Sequence, residues 1–343
     1  MNEPESHGDP AASPRPEFPP TAPPPAPPEV PSPGLASRLI GVLFSPGAAF
    51  RQVASRPAWV GALGVYLLCA VLMSLVYAMN ADWEAVMRAQ FEDSLAWKAV
   101  TALLSEDQID AAERSAVNEI TATGTGGMAL LTPMQTLVGS AIVFHVMAIL
   151  FATLFYLMGS FADLRLGRVY LDAFVCLLVL IAYSLGGAFV RGIFGLDARD
   201  ALPFQAGINL VFFSIYLWLL YRSVERQPPL RRLAAVYAHS MVIPAIAALL
   251  SIVIVLLHSG PVTVPANEVL RSNLASILGV KGAGVAASFL GSIEIFNLWQ
   301  LAVLAVGFAA VTGFSLGTAA AITFLPWGFW TMAKIAVAAG FGG

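Results

Sequence analysis

Long apolar runs alternate with shorter polar connectors along most of the chain. Crossing the hydrocarbon core of a membrane takes about 20 mostly apolar residues, and runs of that kind recur after an amphipathic N-terminal segment. They lie near residues 59–79, 134–160, 169–194, 203–221, 234–257, 292–312 and 316–338. The pattern predicts an all-α, polytopic transmembrane helical bundle with about seven spans.

The N-terminal 57 residues divide into two segments of different character. Residues 1–34 hold 13 of the 23 prolines, five acidic residues and one arginine. Such a composition buries too little apolar area to offset its ordering entropy, so we expect a disordered tail whose P-x-x-P stretches can tether a protein partner. Residues 35–57 place apolar side chains at helical spacing beside arginines, in runs too short to span. They predict two amphipathic helices lying in the membrane interface.

These interfacial helices supply the predicted contact with the lipid bilayer. Their apolar side chains would insert beneath the headgroups while their arginines meet anionic phosphates. The residues predicted to act in this way are Arg38, Leu39, Leu43, Phe50, Arg51, Val53 and Arg56.

One hydrophilic insertion interrupts the apolar pattern of residues 58–343. Residues 80–131 carry nine acidic and three basic residues. Within them, Ser105 and Gln108 fit a capping box that would begin a helix, and Gly124 to Gly127 predict a flexible link into the next span. A shorter amphipathic stretch occupies the connector 260–283.

The distribution of arginines predicts the orientation of the chain, because short cytoplasmic connectors are enriched in Lys and Arg. With the N-terminus in the cytoplasm, the arginines on that side are Arg38, Arg51, Arg56, Arg165, Arg168, Arg222, Arg226, Arg231 and Arg232. The insertion at 80–131 and the C-terminus would then be extracytoplasmic.

The overall composition narrows the classes of function. Hydrophobic residues make up 58% of the chain and charged residues only 11%, whereas soluble domains average about 25% charged. A soluble enzyme is therefore disfavoured, and the net charge of −3 disfavours nucleic acid as a partner. Cys69 and Cys176 both lie in apolar runs, which argues against a disulfide framework.

Three motifs resemble those of the Yip (Ypt/Rab-interacting protein) domain family of polytopic membrane proteins. The first comprises Phe44-Ser-Pro46, Ala49-Phe50 and Arg56-Pro57-Ala-Trp59; the second runs from Arg232 through Tyr237 to Pro244; the third runs from Ile293-Glu294-Ile-Phe296-Asn-Leu-Trp299 through Gly307 and Thr312-Gly313 to Leu325-Pro326-Trp327. Together they are similar to the family's interfacial helix, its middle Pro-containing helix and its final helical hairpin.

The resemblance implies a fold and a class of partner rather than a reaction. Family members usually have five spans, so 169–194 and 203–221 are an added pair. Eukaryotic members contact Rab-type GTPases in membrane traffic, whereas prokaryotic members are largely without an assigned activity. Fifteen arginines against three lysines, with abundant Ala and Gly, suggest a GC-rich genome and hence a bacterial inner-membrane protein.

Polar side chains within the spans are the candidate functional residues, because ionisable groups are costly in lipid. They are His145, His239, Glu294, Asn297 and Gln300. One interpretation joins them into a polar pathway of a transporter or channel. The other, which we favour, satisfies each one locally through helix capping and interhelical hydrogen bonds. The histidine spacing does not favour a metal site.

A serine motif and a stripe of small residues complete the candidate features. Residues 313–317 match G-x-S-x-G, but they fall in a predicted turn between two helices, where small residues permit a tight hairpin. Ala305, Ala309 and Gly313 form a small-residue face that suits either internal packing or self-association. We therefore predict a non-enzymatic membrane protein without a cofactor, which organises membranes or partners through its cytoplasmic N-terminal region. A transporter or channel is the alternative.

Overall fold

A computed structural model describes residues 34–93, 101, 103–194, 198–280 and 284–341. This part of the chain forms thirteen α-helices: α1 (Leu35–Phe44), α2 (Pro46–Ser55), α3 (Val60–Asn80), α4 (Trp83–Asp93), α5 (Glu106–Leu157), α6 (Leu166–Phe194), α7 (Ala198–Glu225), α8 (Pro228–Ser240), α9 (Val242–Leu257), α10 (Leu274–Leu278), α11 (Val285–Ser292), α12 (Ile295–Thr312) and α13 (Leu316–Phe341). The predicted disorder of residues 1–33 falls outside the described residues.

Seven of the described helical segments are long and apolar enough to cross a membrane, which confirms the predicted bundle. They are Val60–Asn80, Thr123–Leu157, Leu166–Tyr183, Ala206–Glu225, Pro228–Leu257, Ile295–Thr312 and Leu316–Gly340. The two segments beyond the usual five of the Yip family, Leu166–Tyr183 and Ala206–Glu225, both meet these criteria of length and composition. The span Thr123–Leu157 begins about ten residues before the apolar run at 134–160 that predicted it.

Helix α8 lies at the centre of the packing. Its residues from Pro229 to Ser240 are almost all buried, and α8 contacts α1, α2, α3, α5, α7 and α12. Rings from three helices meet beside it, with Phe151 4.7 Å from Phe308 and 6.3 Å from Tyr237 between ring centroids. Because lipid is as apolar as these side chains, close packing rather than the hydrophobic effect holds such helices together.

The connectors that carry most arginines meet at one end of the bundle, which we call the arginine-rich end. There the Trp59 indole Nε1–H donates to Glu225 Oε1 over 2.9 Å, linking the start of α3 to the end of α7. Nearby, the Ser160 hydroxyl donates to the Thr312 carbonyl over 3.2 Å, linking the connector after α5 to the end of α12. The observed connectivity therefore brings the predicted cytoplasmic connectors together.

The opposite end of the bundle holds the hydrophilic insertion and the 260–283 connector. The backbone N–H of Asp82 donates to the Val262 carbonyl over 2.8 Å, and the N–H of Val262 donates to Asn80 over the same distance. A second apolar cluster lies beneath this bridge and includes Tyr77, Val86 and Val255. The ends of α3 and α9 are thereby fixed to each other.

Helix α5 confirms the predicted break between insertion and span. The helix begins at Ser105, whose backbone N–H donates to Gln108 Oε1 over 3.0 Å, as the capping box predicts. At Gly124 the backbone has φ 66° and ψ 169°, which is not helical and suits a residue without a Cβ atom. Two helices of different character, one hydrophilic and one apolar, therefore meet at this glycine.

Pro244 and Pro326, the prolines of the second and third motifs, behave differently. The fifth span breaks between α8 and α9 at Met241, three residues before Pro244, because a proline clashes with the carbonyl side of the preceding turn. Pro326 lies inside α13, which continues as one helix.

Candidate functional site

His145 lies in α5 and is paired with a tyrosine of α7. Its Nδ1 is 3.2 Å from the Tyr216 hydroxyl, which donates to the Ala141 carbonyl over 3.2 Å. Nε2 is buried and has no hydrogen-bond partner.

An aspartate of α6 lies near this pair. Asp172 is within electrostatic reach of the His145 ring, and its Oδ2 is buried without a hydrogen-bond partner. In the sequence, Asp172 lies near one end of the apolar run at 169–194, and Tyr216 is one aromatic residue in the run at 203–221. Recognising either as a partner of His145 requires knowing that α5, α6 and α7 are neighbours.

His239 lies at the end of α8 and is fully buried. Its Nδ1–H donates to the Ala235 carbonyl one turn earlier, over 2.8 Å. Its Nε2, like that of His145, is buried without a hydrogen-bond partner. The next residue, Ser240, receives a hydrogen bond of 3.4 Å from the Gln300 amide of α12. Gln300 therefore bridges α12 to the α8–α9 break.

Glu294 is the N-cap of α12, and both of its carboxylate oxygens are occupied. Oε2 accepts from the Asn297 backbone N–H over 3.1 Å, and Oε1 accepts from the Ser272 hydroxyl over 2.8 Å. The carboxylate thus satisfies a helix start and fixes the 260–283 connector to α12.

The two histidines and Glu294 each bond to a different partner. Across the described part of the chain, no hydrogen bond or ion pair joins His145, His239 and Glu294. Among the described residues, no group of three or more His, Cys, Asp or Glu lies close enough to hold a metal ion.

The serine of the G-x-S-x-G match caps a helix. The Ser315 hydroxyl accepts from the Thr318 backbone N–H over 3.1 Å at the start of α13. Gly313 has φ 75° at the end of α12, where a left-handed residue closes the helix. The motif therefore forms the hairpin between the last two spans.

The apolar faces of α1 and α2 require a correction. Leu39, Phe50 and Val53 were predicted to insert beneath the headgroups, but all three are buried inside the protein. Phe50 packs beside Gly307 of α12, where a Cβ atom would lie 3.1 Å from the Phe50 ring and 2.5 Å from Val236 Cγ1. An apolar helix face suits protein as well as lipid, and here the bundle covers it.

A different strip of α1 remains exposed. Leu35, Ile40 and Phe44 expose 39%, 57% and 80% of their surface. Leu43, the fourth apolar residue predicted to insert, is half-buried against the core. Any contact of α1 with lipid therefore falls to residues that the sequence did not single out.

The arginines of this segment divide between structural and exposed positions. Arg38 is half-buried and donates to the Arg56 carbonyl over 3.3 Å. Arg51 and Arg56 are exposed. Their guanidinium groups are free of the packing that covers Phe50, so the N-terminal helices present positive charge outward.

Glu225 connects three elements at the arginine-rich end. It accepts from Trp59 through Oε1, and Arg231 of α8 donates to Oε2 over 3.2 Å. The indole of Trp59 also stacks on Phe144 of α5, with ring centroids 5.4 Å apart. The entry of the first span is thereby attached to the fourth and fifth spans.

No family model matches the chain, and no curated protein or solved structure matches it either. The resemblance to the Yip family stays a prediction from the three motifs. The chain has the architecture of a multi-pass integral membrane protein.

Proposed function

We propose that this protein is a non-enzymatic, Yip-type organiser of the bacterial inner membrane, which binds partners through a cytoplasmic N-terminal region. The observation that carries the proposal is the docking of α1 and α2 onto the bundle through Phe50 and Val53. Docked helices hold Leu35, where α1 begins, at the arginine-rich end.

The exposed surface of these helices supports the same proposal. Ile40 and Phe44 present apolar surface, and Arg51 and Arg56 present positive charge beside it. Amphipathic surfaces of this composition bind anionic membranes, since apolar insertion and charge attraction act together. The proposed orientation keeps this surface in the cytoplasm, where short connectors are richest in arginine.

A capture experiment from native membranes tests the partner-binding function. The tagged full chain is compared with a chain lacking residues 1–33, which keeps α1 and α2 and hence the packing of Phe50. A defined protein that co-purifies with the full chain and is lost from the shortened one supports the proposal. Identical captured proteins for both chains would refute a role for the tail.

A transporter is the second candidate, favoured by the buried and unpaired atoms His145 Nε2 and Asp172 Oδ2. Proteoliposomes assayed for proton or ion flux separate the two functions. Saturable flux that is lost on His145→Phe would establish the transporter, whereas an organiser shows no saturable flux. Glu294→Gln serves as the control, because its side chain caps α12 and its loss affects stability rather than a pathway.

A further inference from the structure

A cavity of about 390 Å³ opens at the arginine-rich end, between the α5–α6 and α7–α8 connectors. Its lining consists of Asp163, Arg165, Arg168, Arg226, Gln227, Pro228 and Pro229. Three guanidinium groups and a single carboxylate give this lining an excess of positive charge. The size suits a small ligand or a headgroup rather than a folded partner, and the charge selects an anion.

One side chain of the cavity is buried and unpaired. Gln227 is 7% exposed, and neither its Nε2 nor its Oε1 has a hydrogen-bond partner. Buried amides are nearly always paired, because an unmade hydrogen bond in the interior is costly. A ligand that offers an acceptor to Nε2 and a donor to Oε1 would satisfy both atoms.

Side chains, rather than backbone N–H groups, must bind a ligand in this cavity. Helix N-termini often bind phosphate through their free N–H groups, but α8 begins with Pro228 and Pro229, which have none. Arginine instead binds phosphate with a planar pair of N–H donors. Arg165, Arg168 and Arg226 therefore match the oxygens of a phosphate, and the Gln227 Oε1 matches a hydroxyl next to it.

The surroundings of the cavity point to a lipid as the source of this phosphate. Tyr170 of α6 and Trp218 and Tyr221 of α7 are exposed near it along the chain, and the Arg222 guanidinium lies 5.1 Å above the Trp218 ring. Exposed Trp and Tyr at the ends of spans mark the headgroup level of a membrane. Basic pockets at this level are where anionic headgroups bind.

We propose that this cavity binds the phosphodiester of an anionic, hydroxyl-bearing lipid headgroup such as phosphoglycerol. The three arginines neutralise the phosphate, Gln227 Nε2 donates to a phosphate oxygen, and Gln227 Oε1 accepts from the headgroup hydroxyl. Asp163 lies at the same cavity, so the three arginines and this carboxylate leave the lining with a net positive charge.

A titration of the purified full chain in neutral detergent tests the assignment. Short-chain phosphatidylglycerol, phosphatidylcholine of the same acyl length and inorganic phosphate are each added while the thermal unfolding midpoint is measured. We expect a saturable rise with phosphatidylglycerol alone, because a ligand that binds only the folded state raises the midpoint. An equal rise with inorganic phosphate would overturn the lipid source, and no rise with any of the three would overturn the site.

Substitutions then locate the binding. Combining Arg168→Gln with Arg226→Gln should weaken phosphatidylglycerol binding by about tenfold or more, while Arg232→Gln, which changes an exposed arginine outside the cavity, should not. Equal binding by the double variant and the wild type would overturn the proposal.

Gln227→Leu separates a ligand contact from a structural role. It removes the unpaired amide, so the midpoint without lipid should stay the same or rise, whereas the affinity for phosphatidylglycerol should fall several-fold. An unchanged affinity would exclude Gln227 from the site. Failure of these experiments leaves the capture experiment with and without residues 1–33 unaffected, because that experiment changes none of the residues named as lining the cavity.

Discussion

Gly307 is the residue on which the docking of the N-terminal helices depends most directly. Its missing side chain leaves room for Phe50 and Val236, and an added Cβ atom would lie only 2.5 Å from Val236 Cγ1. The small-residue stripe read from the sequence named Ala305, Ala309 and Gly313. Neither spacing nor composition distinguishes Gly307 from these, since its role depends on a helix some 250 residues away in the chain.

We predict that Gly307→Ala destabilises the folded protein by about 1–3 kcal/mol, the usual cost of overfilling a packed site. The unfolding midpoint in detergent is the measurement. Gly328→Ala is the matched control, because Gly328 is also within a helix but its added Cβ would meet nothing within 4 Å. Equal midpoints for the two variants would show that α2 does not pack against α12 as described.

Trp59 offers a second test at the scale of one residue. Trp59→Phe removes the hydrogen bond to Glu225 and retains an aromatic ring against Phe144. Since the acceptor is a half-buried carboxylate, we expect a loss of about 1 kcal/mol. The control is Trp330→Phe, whose side chain is 63% exposed. A loss of stability of the same size in this variant would show that the Glu225 contact does not account for the effect of Trp59→Phe.

At the scale of elements, helices α1 and α2 are bundle components rather than free interfacial helices. We predict that Phe50→Ala destabilises the fold by about 3–5 kcal/mol, as expected for a fully buried ring. Phe44→Ala, at the 80% exposed position, should leave detergent stability unchanged and weaken binding of the full chain to anionic vesicles. Stability and vesicle binding are measured for both variants. Lost stability in Phe44→Ala together with weaker vesicle binding in Phe50→Ala would instead support the insertion of Phe50 in lipid.

The sequence predicted the helices better than it predicted which helices pack against each other. The spans were predictable because membrane thickness sets helix length, and the break at Gly124 followed from its glycine-rich flank. The partner of Phe50 was not predictable, because an apolar face has the same spacing whether it meets lipid or protein. Glu294 could be recognised from the sequence as a candidate cap. The pairing of His145 with Tyr216 could not be recognised, because it depends on the order of helices in the bundle.

At the scale of the whole molecule, seven candidate spans predict that the two described chain ends lie on opposite sides of the membrane. We predict that an impermeant maleimide added to intact cells labels Ser259→Cys and not Ser55→Cys. Both serines are exposed, at opposite ends of the bundle, and the native Cys69 and Cys176 are buried. Disrupted cells should label both variants, which controls for reactivity. The reverse labelling in intact cells would invert the proposed orientation.

The contact between Phe50 and Gly307 also has a consequence for biogenesis. The ribosome makes α2 some 240 residues before α12, so the α12 surface that packs on Phe50 does not exist while the first spans are being inserted. Contacts between such distant parts of a chain form late. The N-terminal helices therefore remain undocked until the sixth span is made, and Phe50 and Val53 must meanwhile be shielded by lipid or a chaperone. Docking of α2 on α12 therefore follows the synthesis of six of the seven candidate spans.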